Sequence, residues 1–245
     1  MTDAPYYLEL ERVTYRRDGA VLLNNVSFGL LPGEFASLGG SDISGKSFML
    51  KLCVGLTKPD SGIIRINGKP INEFSYGELQ EFRRRTGFVF QDGVLVSNLT
   101  IRDNVALPLR YHTNLSSKEI DKQVDKYLEL LNIIVYDNER PAGLPAEIKL
   151  MASLARALII EPRFLLLDEF FDSVSAFRGE KAVQYLKEIK QATKLACLSA
   201  TKTVNLLTSF VEEPLIDCIM LIEAGGVVEE GRCQAVREKL MKKFM

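Results

Sequence analysis

The sequence lacks the features that most often place a protein on nucleic acid, inside a membrane or in an oxidising compartment. Its 245 residues carry 31 Lys and Arg against 32 Asp and Glu, and this balance gives no support for a whole-surface binder of nucleic acid or anionic membranes. No apolar run approaches the ~20 residues that cross a bilayer, and residues 1–5 do not resemble the start of a secretion signal. If the protein works at a membrane, we expect a partner to hold it there.

Histidine and cysteine are also scarce. The single histidine, His112, is interpreted as an exposed residue at a helix end. The cysteines lie in apolar or helical stretches without C-x-x-C spacing, which argues against a zinc site or a disulfide framework and for a reduced cytosolic compartment. The four cysteines are Cys53, Cys197, Cys218 and Cys233.

What is present is the composition of an ordinary globular protein, 47% hydrophobic and 26% charged, in a chain long enough for one core plus a subdomain. Near the N-terminus, β-forming residues alternate over Tyr6–Arg16 and Val21–Leu30 on either side of Asp18-Gly19, which predicts a hairpin. A second hairpin is predicted around Ile63–Gly68.

The middle of the chain changes to a helical period over residues 100–134 and 145–160, with a capping box at Ser116-x-x-Glu119. We interpret it as a helical insertion rather than a separate domain, because no flexible linker flanks it. After it, strands and helices alternate as a parallel sheet requires. The predicted elements are a strand at Phe164–Leu167, a helix from about Ser175 to Thr193, a strand at Leu195–Ser199, a helix at Thr203–Val211, a hairpin around Gly225-Gly226 and a C-terminal helix at 234–245.

The most specific stretch runs from Gly40 to Ser47, between the apolar run Phe35–Leu38 and a helical pattern. It matches the phosphate-loop template G-x-x-x-x-G-K-[ST] in the strand-to-helix setting that the template requires. In such a loop, backbone N–H groups and the helix N-terminus bind phosphate oxygens, Lys46 reaches the terminal phosphates and the Ser47 hydroxyl binds Mg²⁺. An ordinary helix start capped by Ser44 would not explain the lysine-serine pair.

Two carboxylates, Asp168 and Glu169, end the apolar run Phe164–Leu167, at the place where open α/β sheets bind ligands. Beside a phosphate loop, Asp168 can hold Mg²⁺ through water, and Glu169 can orient or deprotonate an attacking water. The alternative is that both acids only face solvent.

Two other features allow two interpretations each. Tyr15, near the end of the first strand, can stack on a purine or can be a half-exposed strand tyrosine. The run Arg83–Arg85 is interpreted as a solvated face rather than a nucleic-acid patch, because no aromatic residues interleave it. We therefore expect no nucleic-acid partner.

Over essentially its whole length the chain resembles an ABC-type nucleotide-binding subunit. The resemblance rests on an ordered set of elements: the phosphate loop, Gln91 after a short strand, the helical insertion, Leu154–Leu158, Glu161-Pro162 and Leu165–Glu169. Within the family, one region is most similar to the ATPases of Mla-type lipid transport systems, which work with MCE-domain substrate carriers. That region contains Phe90–Leu95, Asp103–Arg110 and His112-Thr113.

The resemblance implies an α/β fold of the ABC-type P-loop NTPases, with a mainly parallel core sheet, an antiparallel β subdomain and a helical insertion. The chain would be one domain, with the β subdomain and phosphate-loop core at about 1–91, the helical subdomain at about 92–160, the second core half at about 161–232 and a C-terminal helix at about 233–245. Two subunits would sandwich ATP and Mg²⁺ between the phosphate loop of one and the signature motif of the other. The dimer would be cytoplasmic, drive an integral-membrane permease and lie peripherally on the inner face of the cell membrane.

Site residues follow from the same resemblance. Catalysis is assigned to Glu169 and Gln91, with Thr201 replacing the family's switch histidine, and Mg²⁺ to Ser47, Gln91 and Asp168. The nucleotide-binding set is Tyr15, Gly40, Ser41, Asp42, Ile43, Ser44, Gly45, Lys46, Ser47 and Phe48.

Several positions depart from the family pattern. In the phosphate loop, Ile43 replaces a glycine, and a β-branched residue is unfavourable wherever the loop needs a positive φ. In the signature region, Pro145 offers neither a hydroxyl nor an N–H. A Glu147 carboxylate ~4 Å from a partner's phosphate would repel it by roughly 4 kcal/mol, which weakens the sandwich about a thousandfold. The other substitutions are Phe48 after Ser47, Phe170 after Glu169, Ser175 in the family's dimer-contacting loop (the dimer loop) and Thr201 at the switch position.

Three hypotheses remain open at this point. The chain is a working ABC ATPase that energises lipid or other solute transport, a degenerate subunit that binds a permease and a complete sister ATPase, or a homodimeric scaffold without ATP chemistry. We prefer the second, because the substitutions affect the signature, the switch position and the dimer loop together. A non-transport ABC protein is less expected, because such proteins usually carry two cassettes and this chain has room for one.

Overall fold

Two β-sheets of different type form the framework of the molecule, which the computed structural model describes over residues 6–41, 44–202, 215–223 and 225–231. The strands are β1 (Leu8–Arg17), β2 (Ala20–Leu30), β3 (Phe35–Gly39), β4 (Ser61–Ile66), β5 (Lys69–Pro70), β6 (Thr86–Val89), β7 (Phe164–Asp168), β8 (Ala196–Thr201), β9 (Cys218–Glu223) and β10 (Gly226–Gly231). The helices are α1 (Lys46–Cys53), α2 (Tyr76–Arg84), α3 (Ile101–His112), α4 (Ser117–Leu130), α5 (Ala146–Leu158), α6 (Phe170–Ser173) and α7 (Ala176–Ala192).

The smaller sheet is antiparallel, with strand order β2-β1-β4-β5. Asp18 and Gly19 both have positive φ between β1 and β2, as a tight two-residue turn requires, and Asn67 and Gly68 repeat this between β4 and β5. Both predicted N-terminal hairpins are thus confirmed.

The larger sheet has the order β10-β9-β3-β8-β7-β6 and is parallel except for β10. Strand β8 lies between β3 and β7, so the carboxyl ends of these three strands meet at one edge. The predicted fold class, a mainly parallel core sheet with an antiparallel β subdomain and a helical insertion, is confirmed. The predicted C-terminal hairpin is confirmed as β9 and β10.

The larger sheet is covered on both faces, which explains the continuous apolar runs of its strands. Along β7, Leu165 and Leu167 pack with the helical part and α7, whereas Phe164 and Leu166 pack with α1 and the antiparallel sheet. All four side chains are at most 1% exposed. The period of two along a strand therefore divides the core into two layers.

The helical insertion consists of α3, α4 and α5, and the expected helical stretch over 100–134 is interrupted. Helix α3 ends at His112, which is exposed as predicted. Helix α4 then begins with the predicted capping box, in which the Ser116 hydroxyl accepts from the N–H of Glu119 and the Glu119 carboxylate accepts from the N–H of Ser116.

The run Arg83–Arg85 is engaged within the chain. Arg83 donates to the carbonyl oxygens of Val54 and Gly55, and the other two arginines pair with Glu81. The arginines thus bind groups of the chain itself, which is consistent with the interpretation of the run as a solvated face.

The helices predicted at 203–211 and 234–245 lie outside the described residues. Within the described part of the chain, no helix is long and apolar enough to cross a membrane. Three of the cysteines, Cys53, Cys197 and Cys218, are buried there.

Candidate functional site

A loop at the carboxyl end of β3 leads into α1 and contains the glycines that its path requires. Gly45 has φ 89° and directly precedes the helix, and a Cβ at this position would lie 2.4 Å from the carbonyl oxygen of Leu22. The Ser44 hydroxyl donates to the carbonyl oxygen of Ser41 at 2.7 Å and does not cap the helix. Asp42 and Ile43 lie outside the described residues.

Lys46 is the first residue of α1, and its side chain folds back over this loop. Its Nζ donates to the carbonyl oxygens of Gly40 at 2.7 Å and Ser41 at 2.6 Å, and lies 3.3 Å from the Ser44 hydroxyl. The residue is only 2% exposed, and a buried ammonium needs acceptors for its hydrogens. The loop supplies them and so holds a positive charge where phosphate oxygens can replace the carbonyls.

The next residue, Ser47, connects the loop to the larger sheet. Its hydroxyl donates to Asp168 Oδ1 at 2.8 Å, and Asp168, the last residue of β7, is 3% exposed. Burial raises the pKa of Asp168, and the hydrogen bond from Ser47 opposes that rise. A hydroxyl and a carboxylate are oxygen ligands of the kind that Mg²⁺ prefers, and one or two carboxylates beside substrate phosphates suffice for it. This pair therefore fits a magnesium site.

The raised pKa of Asp168 predicts how stability changes with pH. The folded state binds a proton more tightly than the unfolded state does, so stability falls as pH rises from the unfolded pKa, about 3.9, through the higher folded pKa. We expect Asp168→Asn to increase the free energy of unfolding at neutral pH by about 0.5–1 kcal/mol and to reduce this pH dependence. Urea unfolding between acidic and neutral pH measures both, with Asp121→Asn on the exposed side of α4 as the control. A variant less stable than wild type at neutral pH would contradict the prediction.

Glu169 follows β7 in the left-handed region, at φ 52°, an uncommon conformation that redirects the chain between the strand and α6. The residue is 5% exposed, and its carboxylate accepts a hydrogen bond from Gln91 Nε2 at 2.6 Å. The same oxygen, Oε2, lies 3.0 Å from Lys202 Nζ. The structure thus brings Gln91, Asp168 and Glu169 to the edge where the phosphate loop lies.

Thr201, assigned from the sequence to the position of the family's switch histidine, contacts a different acid. Its hydroxyl donates to Asp172 Oδ1 at 2.9 Å, and the residue is 1% exposed. The side chain that contacts Glu169 is the next one along, Lys202. Lys202 is not among the predicted site residues, because the strand was expected to end at Ser199, whereas β8 continues to Thr201.

The predicted purine-stacking residue, Tyr15, is stacked against a residue of the same site. Its ring lies 5.4 Å from that of Phe48 at an interplanar angle of 28°. Arg17 and Lys51 each lie about 5 Å from the centre of the Phe48 ring, as cation–π contacts do. The two aromatic members of the predicted nucleotide set are therefore in contact with each other.

The region that resembles a signature motif forms the start of α5. Pro145 immediately precedes the helix and makes no side-chain cap hydrogen bond. Glu147 accepts from the N–H of Ser175 at 3.1 Å and pairs with Arg178 at 3.2 Å. Hydrogen bonding by Ser175, and less so by Arg178, lowers the pKa of Glu147. The repulsion expected between Glu147 and a partner's phosphate assumed an unpaired carboxylate. Because Glu147 pairs with Arg178, that repulsion is smaller than expected.

Comparison with known proteins agrees with this arrangement. A sequence model of the family described as "ABC transporter" matches residues 23–172. The chain is 34% identical to the methionine import ATP-binding protein MetN 2 of Paraburkholderia xenovorans over 85% of its length, and spans only 53% of that relative. It is 28% identical to the intermembrane phospholipid transport system ATP-binding protein MlaF of Haemophilus influenzae, covering 91% of this chain and 84% of MlaF. A solved ATP-binding cassette, a dimer in a post-hydrolysis state bound to ADP and Pi, superposes with a TM-score of 0.83 at 29% identity, covering 92% of this chain and 98% of the cassette.

Proposed function

This chain belongs to the ABC transporter family, and on that premise we propose that it is a nucleotide-binding subunit that couples ATP to a membrane permease. One observation carries the proposal. The hydrogen bond from Ser47 to Asp168 holds that acid next to the loop over which Lys46 folds. A phosphate-binding loop and a magnesium-binding acid have to be adjacent for a nucleoside triphosphate to contact both.

Each residue has a defined part in this function. Lys46 would bind phosphate oxygens in place of its loop carbonyls, and Ser47, Asp168 and Gln91 would hold Mg²⁺. When bound, Mg²⁺ neutralises charge on the phosphate oxygens. Glu169, whose carboxylate accepts a hydrogen bond from Gln91, would orient the attacking water or accept its proton.

The subunit works in a dimer whose second member is a more complete ATPase subunit. Support comes from α5, where Pro145 provides no hydroxyl for a partner's phosphate and Glu147 is already engaged by Ser175 and Arg178. In such a heterodimer, the site built on Lys46 takes its signature from the partner, and the site completed by Pro145 is impaired. The dimer is cytoplasmic and lies peripherally on the inner face of the cell membrane.

The transported substrate is proposed to be a lipid, passed on by an MCE-domain carrier. This rests on the region Phe90–Leu95 and on the similarity to MlaF, the ATP-binding protein of an intermembrane phospholipid transport system. The methionine importer MetN 2 is also similar and makes a small solute the competing substrate class.

The composition of the native complex tests the proposal. Isolated through a tag on this chain, the complex should contain a permease, a second ATPase subunit and an MCE-domain protein. A small-solute binding protein in place of the carrier would contradict lipid transport. Two copies of this chain and no other ATPase would contradict the heterodimer.

Hydrolysis by the chain separates the proposal from its alternative, a non-hydrolysing scaffold or regulatory subunit. We expect the purified chain to bind ATP with Mg²⁺ and to release phosphate slowly, and Glu169→Gln to remove this release while binding persists. The rate of phosphate release is measured under the same conditions for wild type, for Glu169→Gln and for the control Glu180→Gln, which lies on the exposed side of α7. A folded chain that binds no ATP would favour the scaffold. Rapid phosphate release by wild type that disappears in Glu169→Gln would contradict the hypothesis of a degenerate subunit.

A further inference from the structure

An aromatic ring of the chain itself lies on Tyr15, the residue expected to stack on a purine. The ring of Phe48 is 5.4 Å from it at an interplanar angle of 28°, which is the geometry of a stacked aromatic pair. On the basis of the proposed function, we propose that Phe48 takes the place of the purine and is a specificity-determining residue. The chain then binds nucleoside triphosphates through their phosphates, with little preference for the base.

The place of Phe48 in the chain connects the stacked pair to the phosphate loop. Phe48 is half-buried in the first turn of α1 and directly follows Lys46 and Ser47, to which we assign the phosphates and Mg²⁺. It therefore covers the face of Tyr15 that is turned towards the start of α1. A base whose phosphates are bound at this helix start would reach Tyr15 from the same side, so the Phe48 ring and a purine compete for one face.

Tyr15 is held in place by the segment that follows α1. The Thr57 hydroxyl donates to the Tyr15 hydroxyl at 3.4 Å. On either side of Tyr15 along β1, the N–H of Arg16 donates to Asp60 Oδ2 at 2.6 Å, and the N–H of Asp60 donates to the carbonyl oxygen of Thr14 at 2.9 Å. These bonds fix Tyr15, and its partner in the stack is fixed by α1, so the stack is a feature of the fold.

Two cations stabilise the Phe48 ring where it lies. Arg17 Cζ is 5.2 Å and Lys51 Nζ 5.1 Å from the ring centre, distances at which cation–π attraction acts. A purine that displaced this ring would have to break both contacts as well as the stack on Tyr15. The three contacts therefore oppose binding of the base, and they involve none of the residues assigned to the phosphates.

Nucleotide titrations of the full-length chain test this role. We expect wild type to bind ATP and CTP, each with Mg²⁺, at dissociation constants within about threefold of each other. A stronger preference for ATP would overturn the proposal, and this comparison needs only wild type. It therefore decides the matter even where a variant does not fold.

Removing the Phe48 ring should create the missing preference. Phe48→Ala frees the face of Tyr15 without adding a polar group, and a stacked base strengthens binding by roughly fivefold to a hundredfold. ATP should bind more tightly by a factor in this range, and CTP, whose smaller base stacks less, should gain less. An ATP affinity in Phe48→Ala that stays within about threefold of wild type, or falls below it, would overturn the proposal.

A second substitution shows whether the gain depends on Tyr15. Phe48→Ala combined with Tyr15→Ser should return the ATP affinity to within about threefold of wild type, and a gain that persists would overturn the proposal. Phe74→Ala is the matched control and should bind ATP as wild type does. Like Phe48, Phe74 is half-buried and packs on another ring, that of Phe82, with Lys69 5.5 Å from its ring centre.

Inorganic tripolyphosphate separates this proposal from the function on which it rests. Because tripolyphosphate has no base, with Mg²⁺ it should bind equally to wild type and to Phe48→Ala. If it binds and Phe48→Ala gains no affinity for ATP, the role of Phe48 is wrong and phosphate binding by the loop stays supported. If neither tripolyphosphate nor ATP binds to wild type or to Phe48→Ala, the proposed function is refuted, and the role of Phe48 with it.

Discussion

Replacing Lys46 with alanine is expected to weaken ATP binding at least about a hundredfold, because two charge-assisted hydrogen bonds to phosphate are each worth roughly 1.5–3 kcal/mol. The ammonium donates to the carbonyl oxygens of Gly40 and Ser41, which hold its charge in the loop. Isothermal titration of the purified chain with ATP and Mg²⁺ measures the loss. Circular dichroism shows whether the variant keeps its fold.

Lys58→Ala is the matched control for this experiment. Lys58 is an exposed lysine that follows α1 by a few residues, and its removal changes the net charge by the same amount. It should bind ATP as wild type does. A Lys46→Ala variant that binds ATP within about threefold of wild type would show that the loop grips phosphate without its lysine, against the expectation for this type of loop.

The second large effect is expected for Gly45→Ala. The added Cβ would lie 2.4 Å from the carbonyl oxygen of Leu22 and 3.0 Å from Leu23 Cδ2, and an L-residue at φ 89° is strained. Backbone strain and the forced displacement of β2 should together lower the free energy of unfolding by about 2–4 kcal/mol. Urea unfolding of the purified variant measures it.

Gly19→Ala separates the two causes. Gly19 has a similar φ of 80° in the turn between β1 and β2, but a Cβ there would meet nothing within 4 Å. This control should lose only the backbone contribution of about 1–2 kcal/mol. Equal losses in the two variants would show that the contact between the loop and Leu22 contributes nothing.

Much of the fold follows from local pattern. The strand Phe164–Leu167 and the loop from Gly40 to Ser47 are recognisable because a continuous apolar run and a glycine-containing turn each have few alternative structures. The interruption between α3 and α4 is harder to find, because the helical spacing of apolar residues continues on both sides of it. The capping box at Ser116 is the local signal for it.

The contacts within the site could not be predicted in the same way. The pairing of Glu147 with Arg178 and the stacking of Tyr15 on Phe48 each join residues more than thirty positions apart. Their geometry depends on how α5 packs beside α7 and β1 beside α1, and residue spacing carries no information on it. The contact of Lys202 with Glu169 depends further on where β8 ends.

The stacked pair of Tyr15 and Phe48 has an optical consequence. The chain contains no tryptophan, so an indole introduced at Tyr15 would be its sole source of tryptophan emission. That indole would lie against the Phe48 ring and near the charges of Arg17 and Lys51. Indole emission responds to nearby charge and to exposure, so the wavelength of light from this one position would report whether the ring faces phenylalanine, a purine or water.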